Sequence, residues 1–219
     1  VTNIGDNESW CGNTMAQANW YAFGRIAWDT SLTSEEIAHE WIRQTFNDIC
    51  PKGEETIAEI LDKSHEAVVD YMMPLGLHHI FAWGHHYGPE PWCDIEGARP
   101  DWMPSYYHRA DSIGLGFDRS ASGSNAHLQY KEPLASLYGN INTCPDEYLL
   151  WFHHATWDHW MQSGRRLWEE LCFRYDRGET KVMQFREQWK SIQTCINPTL
   201  YNEILHKLNI QVADATWWH

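Results

Sequence analysis

Apolar positions recur at helical spacing near both ends of the chain and lose their period in between. Trp20, Phe23, Ile26, Ala27 and Trp28 predict a helix over 15–27. Thr33 then opens T-S-E-E, a capping box with Glu36 three residues on, and Ile37, Trp41 and Thr45 continue at helical spacing. A longer helix is expected over 54–73, with Ile57, Ile60, Leu61, Val68 and Met72 on one side and "MPLG" stopping it. From 75 to 143 glycine and proline recur every few residues and neither a 3.6 nor a 2 period survives. A stretch of that length without period reads as functional loops, with short helical turns near 101–112 and 124–138. Helices return at "NTCPDEYLLWFHH", with Thr143 as cap and Pro145 in the first turn. Ser163 is expected to cap a long helix through Leu167, Leu171 and Tyr175, interrupted at Gly178 and resuming to about Ile196. Asn197 caps the last one, with Pro198 at N1 and Tyr201, Leu205, Leu208 and Val212 as its stripe. There is no strand–helix alternation and no repeat. The fold class is therefore all-α, mainly helical, with a long loop-rich aromatic central segment. One domain over 1–219 is expected, helical over 15–73 and 145–219 and loop-rich over 75–143.

Composition narrows the partners. At 219 residues, 43% of them hydrophobic, the chain can bury a substantial core. A formal net charge of −14 argues against nucleic acid and anionic membrane surfaces, which both need basic patches. No apolar run approaches the roughly 18 residues of a membrane span. The six cysteines, Cys11, Cys50, Cys93, Cys144, Cys172 and Cys195, are too scattered for a zinc or disulfide framework and are expected as buried free thiols. The chain begins at Val1 with no initiator methionine and no signal-like segment, as expected of a processed chain or a piece of a longer one. A cytoplasmic location follows as an expectation, with secretion left open.

Candidate chemistry concentrates in the middle. The pairs His78-His79, His85-His86 and His153-His154 point their two rings in different directions, and HExxH is absent. No metal and no cofactor are expected, and the rings are expected to satisfy backbone carbonyls between loops. "DRSASGSN" lacks GxSxG and needs no more than turn formation. Glu90, Asp94, Glu96, Asp101, Asp111 and Asp118 could supply an acid and a base for glycoside hydrolysis. Several have a basic neighbour (Glu96 near Arg99, Asp111 near Arg109, Asp118 beside Arg119), so loop-locking salt bridges are the expectation. What remains is a set of aromatic rings among hydrogen-bonders, Trp83, His85, His86, Tyr87, Glu90, Trp92, Trp102, Tyr106, Tyr107 and His108. Stacking faces and polar groups together are what sugars need.

Longer motifs are specific. "LHHIFAWGHHYGPEPW" (77–92), "ARPDWMPSYYHRAD" (98–111), "GLGFDRSASGSNA" (114–126) and "CPDEYLLWFHHATWDHWMQSGRRLWEELC" (144–172) closely resemble the C-terminal domain of the xylan α-glucuronidases, glycoside hydrolase family 67. The opening "VTNIGDNESWCGNTMAQANWYAFGRIAWD" is similar to the start of that domain. The resemblance implies a three-part enzyme: an N-terminal α+β domain, a central (β/α)8 barrel and this mainly helical domain. Such enzymes remove (4-O-methyl)glucuronic acid from xylooligosaccharides with inversion and without a metal. By resemblance the catalytic carboxylates lie in the barrel, which this chain does not contain. The helical domain wraps the barrel, lends aromatic contact near the uronic-acid pocket and forms most of a homodimer interface. The implied partners are thus a glucuronic-acid-bearing xylooligosaccharide, the barrel domain of the same enzyme and a second copy. Trp83 is the first candidate for substrate contact, followed by His85, His86, Tyr87 and Trp92. Trp168, Trp189, Trp217 and Trp218 are the expected interface aromatics. The alternative is a stand-alone carbohydrate-binding or glycoside-hydrolysing relative using carboxylates of 90–118, with Glu90 and Asp94 as its catalytic residues.

Overall fold

The structure is a computed structural model that describes residues 12–78, 80–84 and 87–219. Eight α-helices occur among the described residues: α1 Gln17–Trp28, α2 Ser34–Thr45, α3 Pro51–Met72, α4 Pro104–His108, α5 Leu134–Gly139, α6 Leu149–Phe152, α7 Leu167–Lys190 and α8 Pro198–Trp218. Two strands of two residues, β1 Gly114–Leu115 and β2 Ala155–Thr156, pair antiparallel, with Gly114 opposite Thr156. The all-α class holds. The contacts divide the chain into two compact units, one running to Ala67 and including Glu179–Thr216, the other Val68–Gly178 with Trp217–His219.

In the first unit, local chemistry starts the helices. Thr33 and Glu36 form the reciprocal capping box ahead of α2, satisfying two amides that the first turn leaves orphaned. Asn197 Oδ1 accepts from Thr199 N at 2.9 Å to start α8. Ile37, Trp41 and Ile42 of α2 are buried, as are Ile57 and Ile60 of α3 and Val182 and Phe185 of α7. Trp189 has no exposed surface. Its ring stacks on Tyr201 at 6.1 Å and its indole N–H donates to the Tyr201 carbonyl at 3.1 Å, so the ring is fixed in position as well as buried. By contrast, α1 buries no residue, and Phe23 and Trp28 are 70% and 88% exposed. Tyr21 and Arg25 on that helix bond Gln44 and Glu40 of α2 at 2.8 Å each. Cys50 and Cys195 form a disulfide.

The second unit is held by ions as well as apolar contact. Asp70, near the end of α3, is buried and accepts a bidentate pair from Arg177 at 2.6 and 2.8 Å. Glu170, 1% exposed, accepts from Arg174 at 2.6 Å, Arg165 at 2.9 Å and Ser163 at 2.8 Å. Removing one member of such a buried pair costs about 3–5 kcal/mol, because the other charge is left without a partner.

Several expectations change here. Buried free thiols hold for Cys93 and Cys144, whereas Cys50 and Cys195 are cross-linked and Cys172 is exposed; Cys11 lies outside the described residues. Gly178 does not interrupt α7. A Cβ there would sit 2.5 Å from the Tyr71 amide nitrogen, so the glycine permits close approach of two backbones without breaking the helix. Ser163 does not cap α7, which begins four residues later at Leu167; its hydroxyl donates to Glu170 and accepts from the Arg165 amide in the turn before the helix. Thr143 does not cap either. Its hydroxyl donates to the Leu137 and Asn140 carbonyls and closes the turn after α5. Helix after Pro145 is short, ending at Phe152, and 153–166 is turn and strand. Trp189 and Trp218 are buried in this chain, which removes them from the expected interface set, while Trp168 and Trp217 are 60% and 55% exposed.

Candidate functional site

The aromatic segment is a tight turn in the second unit. Ala82 N donates to the Tyr87 carbonyl at 2.8 Å, so Trp83 lies within the loop that this bridge closes. Any Cβ at Gly88 would strike the Ile80 carbonyl, which leaves glycine as the residue that fits. Trp83 is half-buried, its ring 6.2 Å from Trp102. Arg99 covers the other ring of that pair at 5.6 Å and is itself held by Asp101. Tyr87 packs elsewhere, 6.1 Å from Trp217 and 5.7 Å from Trp218. Trp92 is 74% exposed. The bridge thus joins the Ala82 and Tyr87 backbones, while the Trp83 and Tyr87 rings go to different neighbours. His85 and His86 lie outside the described residues, as does His79.

A cleft of about 490 Å³ is lined by Asp94, Ala98, Pro100, Met103, Ser105, Tyr106, Arg109 and Phe117. Tyr106, half-exposed, is backed by Phe117 at 5.1 Å and Tyr107 at 5.3 Å. Arg109 leaves α4 with φ 41°, in the left-handed region that few non-glycine residues adopt. Behind Phe117 sits Arg119, 8% exposed. Its guanidinium lies 3.8 Å from the Trp151 ring centroid, 4.6 Å from that of Phe117 and 5.7 Å from that of Tyr107, and it donates to the Trp151 carbonyl. Burial pushes its pKa down from the usual arginine value, yet an arginine remains protonated at neutral pH.

The carboxylates have structural work. Asp101 pairs with Arg99, so Glu96 is not the partner that arginine takes. Asp111 accepts from the Ile113 and Gly114 amides at 2.8 and 2.9 Å and has His154 at 3.5 Å; Arg109 does not pair with it. Those amide bonds hold its carboxyl below the usual range. Asp118 is tied to the Ser120 amide and hydroxyl and the Ser122 hydroxyl at 2.6–2.9 Å, not to Arg119. Burial raises its pKa, but these bonds outweigh that and hold it low. "DRSASGSN" is therefore a hydrogen-bonded turn. Asp94 lines the cleft, and Glu90 is not among the lining residues.

Three histidines bond backbone carbonyls: His127 to Arg119 at 3.1 Å, His153 to Tyr138 at 2.8 Å and His154 to Gly116 at 2.9 Å. A carbonyl only accepts, so each ring carries its proton on the bonded nitrogen. Burial holds His153 below the usual histidine range. Among the described residues no group of three or more His, Cys, Asp or Glu could hold a metal ion.

Residues 11–219 match the family described as Glycosyl hydrolase family 67 C-terminus. The chain belongs to this family. Among relatives of this family 67 C-terminal domain, "Probable alpha-glucuronidase A" of Aspergillus clavatus is 33% identical over 220 residues, covering all of this chain and 26% of that protein. "Alpha-glucuronidase A" of Emericella nidulans is 33% identical over 226 residues, the whole chain against 25% of the relative. "Alpha-glucuronidase" of Hypocrea jecorina is 31% identical over 220 residues, again the whole chain against 25%. The chain spans about a quarter of the length of these relatives. Within the domain, Ser105, Arg109 and Phe117 are cleft residues that sequence reasoning did not single out as a site. The signal available was the run of tyrosines ending at Arg109, which read as a salt-bridge neighbour of Asp111.

Proposed function

We propose that this domain serves an α-glucuronidase that removes (4-O-methyl)glucuronic acid from xylooligosaccharides. In this reading it lends an aromatic wall, with Trp83 foremost, to a catalytic barrel carried elsewhere in a longer protein. The observation that carries it is the match over 11–219 to relatives about four times as long that bear the α-glucuronidase name. The engagement of Asp101, Asp111 and Asp118 in turns and ion pairs supports it too, because an acid–base pair needs carboxyls facing a substrate. A second copy of the chain is part of the proposal, with Trp168 and Trp217 as exposed aromatics available to an interface.

The test compares two proteins on an aldouronic xylooligosaccharide: the 219-residue chain, and the same chain joined to the preceding segments of its enzyme. The longer protein should release uronic acid and the chain alone should not. In the longer protein Trp83→Ala should lower kcat/KM by about tenfold, on the order of one ring contact. Turnover by the chain alone that vanishes in Glu90→Gln or Asp94→Asn would overturn the proposal in favour of a self-contained hydrolase.

A further inference from the structure

Cys50 occupies the N-cap of α3. Its carbonyl accepts the first bond of the helix, from Glu54 N at 3.0 Å. Pro51 follows as the first helical residue, a position where a missing N–H removes no helix bond. The Cys50 sulfur then takes the place that a serine or aspartate oxygen holds in an ordinary cap, accepting from the Gly53 amide at 3.3 Å. Gly53 is buried, and a Cβ there would sit 2.9 Å from Cγ1 of Ile49 and 3.2 Å from Cβ of Cys195. The glycine therefore lets Cys195 close on the first turn of α3.

The two sulfurs of the Cys50–Cys195 bond thus have different surroundings. Cys50 lies at the positive end of a 22-residue helix, with an N–H on its sulfur. Cys195 ends the short 3-10 turn Gln193–Cys195, its own amide donating to the Ile192 carbonyl at 2.9 Å. Its sulfur accepts no hydrogen bond among the described residues. Cys195 also precedes a helix, but Asn197 stands between them and takes the free amide of α8 at Thr199. Both cysteines are half-buried, so access favours neither sulfur. In thiol–disulfide exchange the sulfur that leaves is the one that better carries negative charge. A helix N-terminus is where a thiolate is best held.

We infer that the Cys50–Cys195 bond is a thiol-exchange site that opens in one direction, with Cys195 as the sulfur attacked and Cys50 as the sulfur that leaves. This site does not depend on the function proposed above. Its ligand class is a thiolate, RS⁻. The thiolate attacks Sγ of Cys195, and an RS–Sγ bond forms as the Sγ–Sγ bond breaks. The departing electron pair stays on Cys50, as a thiolate facing the Gly53 amide. A monothiol stops at this point, held on Cys195 as a mixed disulfide. A dithiol goes further: its second thiolate attacks the sulfur of R and releases Cys195, which takes a proton from water. The dithiol departs as a cyclic disulfide, oxidised by two electrons, and the protein is reduced by two. In reverse, the Cys50 thiolate attacks the mixed disulfide at Cys195 and restores a link between residues 145 apart in sequence. The first unit thus carries a clasp that thiols can open and that Cys50 recloses.

The experiment treats the folded, oxidised 219-residue chain with glutathione and stops the exchange with acid. Peptic digestion at low pH and mass spectrometry then show which cysteine carries the glutathione. At early times the adduct should sit on Cys195, in excess over Cys50 by about threefold or more. In denaturing urea, where α3 is lost, that preference should disappear. Single variants supply a second reading. Iodoacetamide should alkylate the Cys50 thiol of Cys195→Ser at lower pH than the Cys195 thiol of Cys50→Ser, with circular dichroism reporting that both fold. Glutathione exchange on the unaltered chain needs no variant, so it decides the matter where a variant fails to fold. An adduct mainly on Cys50, an even distribution in the folded chain, no exchange short of unfolding, or a preference that persists in urea would each overturn the inference.

Discussion

Cutting the Cys50–Cys195 bond removes a constraint that spans 145 residues of sequence. In the chain-entropy description, closing a loop of n residues lowers the entropy of the unfolded chain by about 2.1 + 1.5R ln n cal/mol/K. For this loop the value is about 17 cal/mol/K, or about 5 kcal/mol at 25 °C. Both cysteines lie in the first compact unit, whose core includes the buried Trp189–Tyr201 stack. The expected effect of Cys50→Ser/Cys195→Ser is therefore an intact fold that is less stable by about 3–5 kcal/mol, a large share of a typical domain's total. Urea unfolding followed by near-ultraviolet circular dichroism measures it, with and without reductant. The double variant should also unfold with a steeper denaturant dependence, because an unfolded chain without the cross-link exposes more surface. Thiol titration of the denatured, unreduced chain should find no more than four of the six cysteines reactive. Six reactive thiols, or a stability difference below about 1 kcal/mol, would refute the reasoning.

Two further outcomes follow from the second unit. Gly178→Ala gains about 1 kcal/mol of helix propensity but puts a methyl 2.5 Å from a backbone nitrogen. The variant should be less stable by about 1–2 kcal/mol net in chemical denaturation, and a more stable variant would contradict the close approach. The pH dependence follows from groups held low in the folded chain. Burial depresses His153 below 6.5. Burial raises Glu170, but bonds from Arg174, Ser163 and Arg165 outweigh it and hold the group below 4.5. In both ranges the unfolded chain binds more protons than the folded one, so stability rises with pH. The melting temperature should fall as pH drops below 6.5 and fall again below 4.5; a maximum near pH 5 would refute this.

Features fixed by nearby residues were readable from the sequence. The Thr33–Glu36 box and the Asn197 cap depend on residues two or three apart, and both form as the spacing predicts. Ile57 and Ile60 are buried as their spacing predicts, whereas Leu61 of the same predicted face stays half-exposed. Reading failed where a short polar side chain had distant competitors. Ser163 has the chemistry of a cap, but its hydroxyl is used in the preceding turn, accepting from the Arg165 amide and donating to Glu170, which already gathers two arginines. Gly178 looked like a helix break because propensity is local. The reason for the glycine is a backbone more than a hundred residues away in sequence. The pairing of Cys50 with Cys195 is distant in the same sense.

For the site, residue type was legible and arrangement was not. Aromatic density between 81 and 107 corresponds to ring pairs in the structure, Trp83 with Trp102 and Tyr106 with Tyr107. Charge adjacency misled, because a carboxylate within two residues of an arginine has backbone amides just as near. Asp111 takes the amides of Ile113 and Gly114, which cost no side-chain entropy to order, and does not pair with Arg109. The same competition frees Arg119, since Asp118 is occupied by two serine hydroxyls and the arginine stacks on Trp151 instead. In this segment the glycine- and serine-rich turns therefore decide the partners of the carboxylates: substituting Asp111 or Asp118 would leave turn amides and hydroxyls without an acceptor and would not break a pair with Arg109 or Arg119.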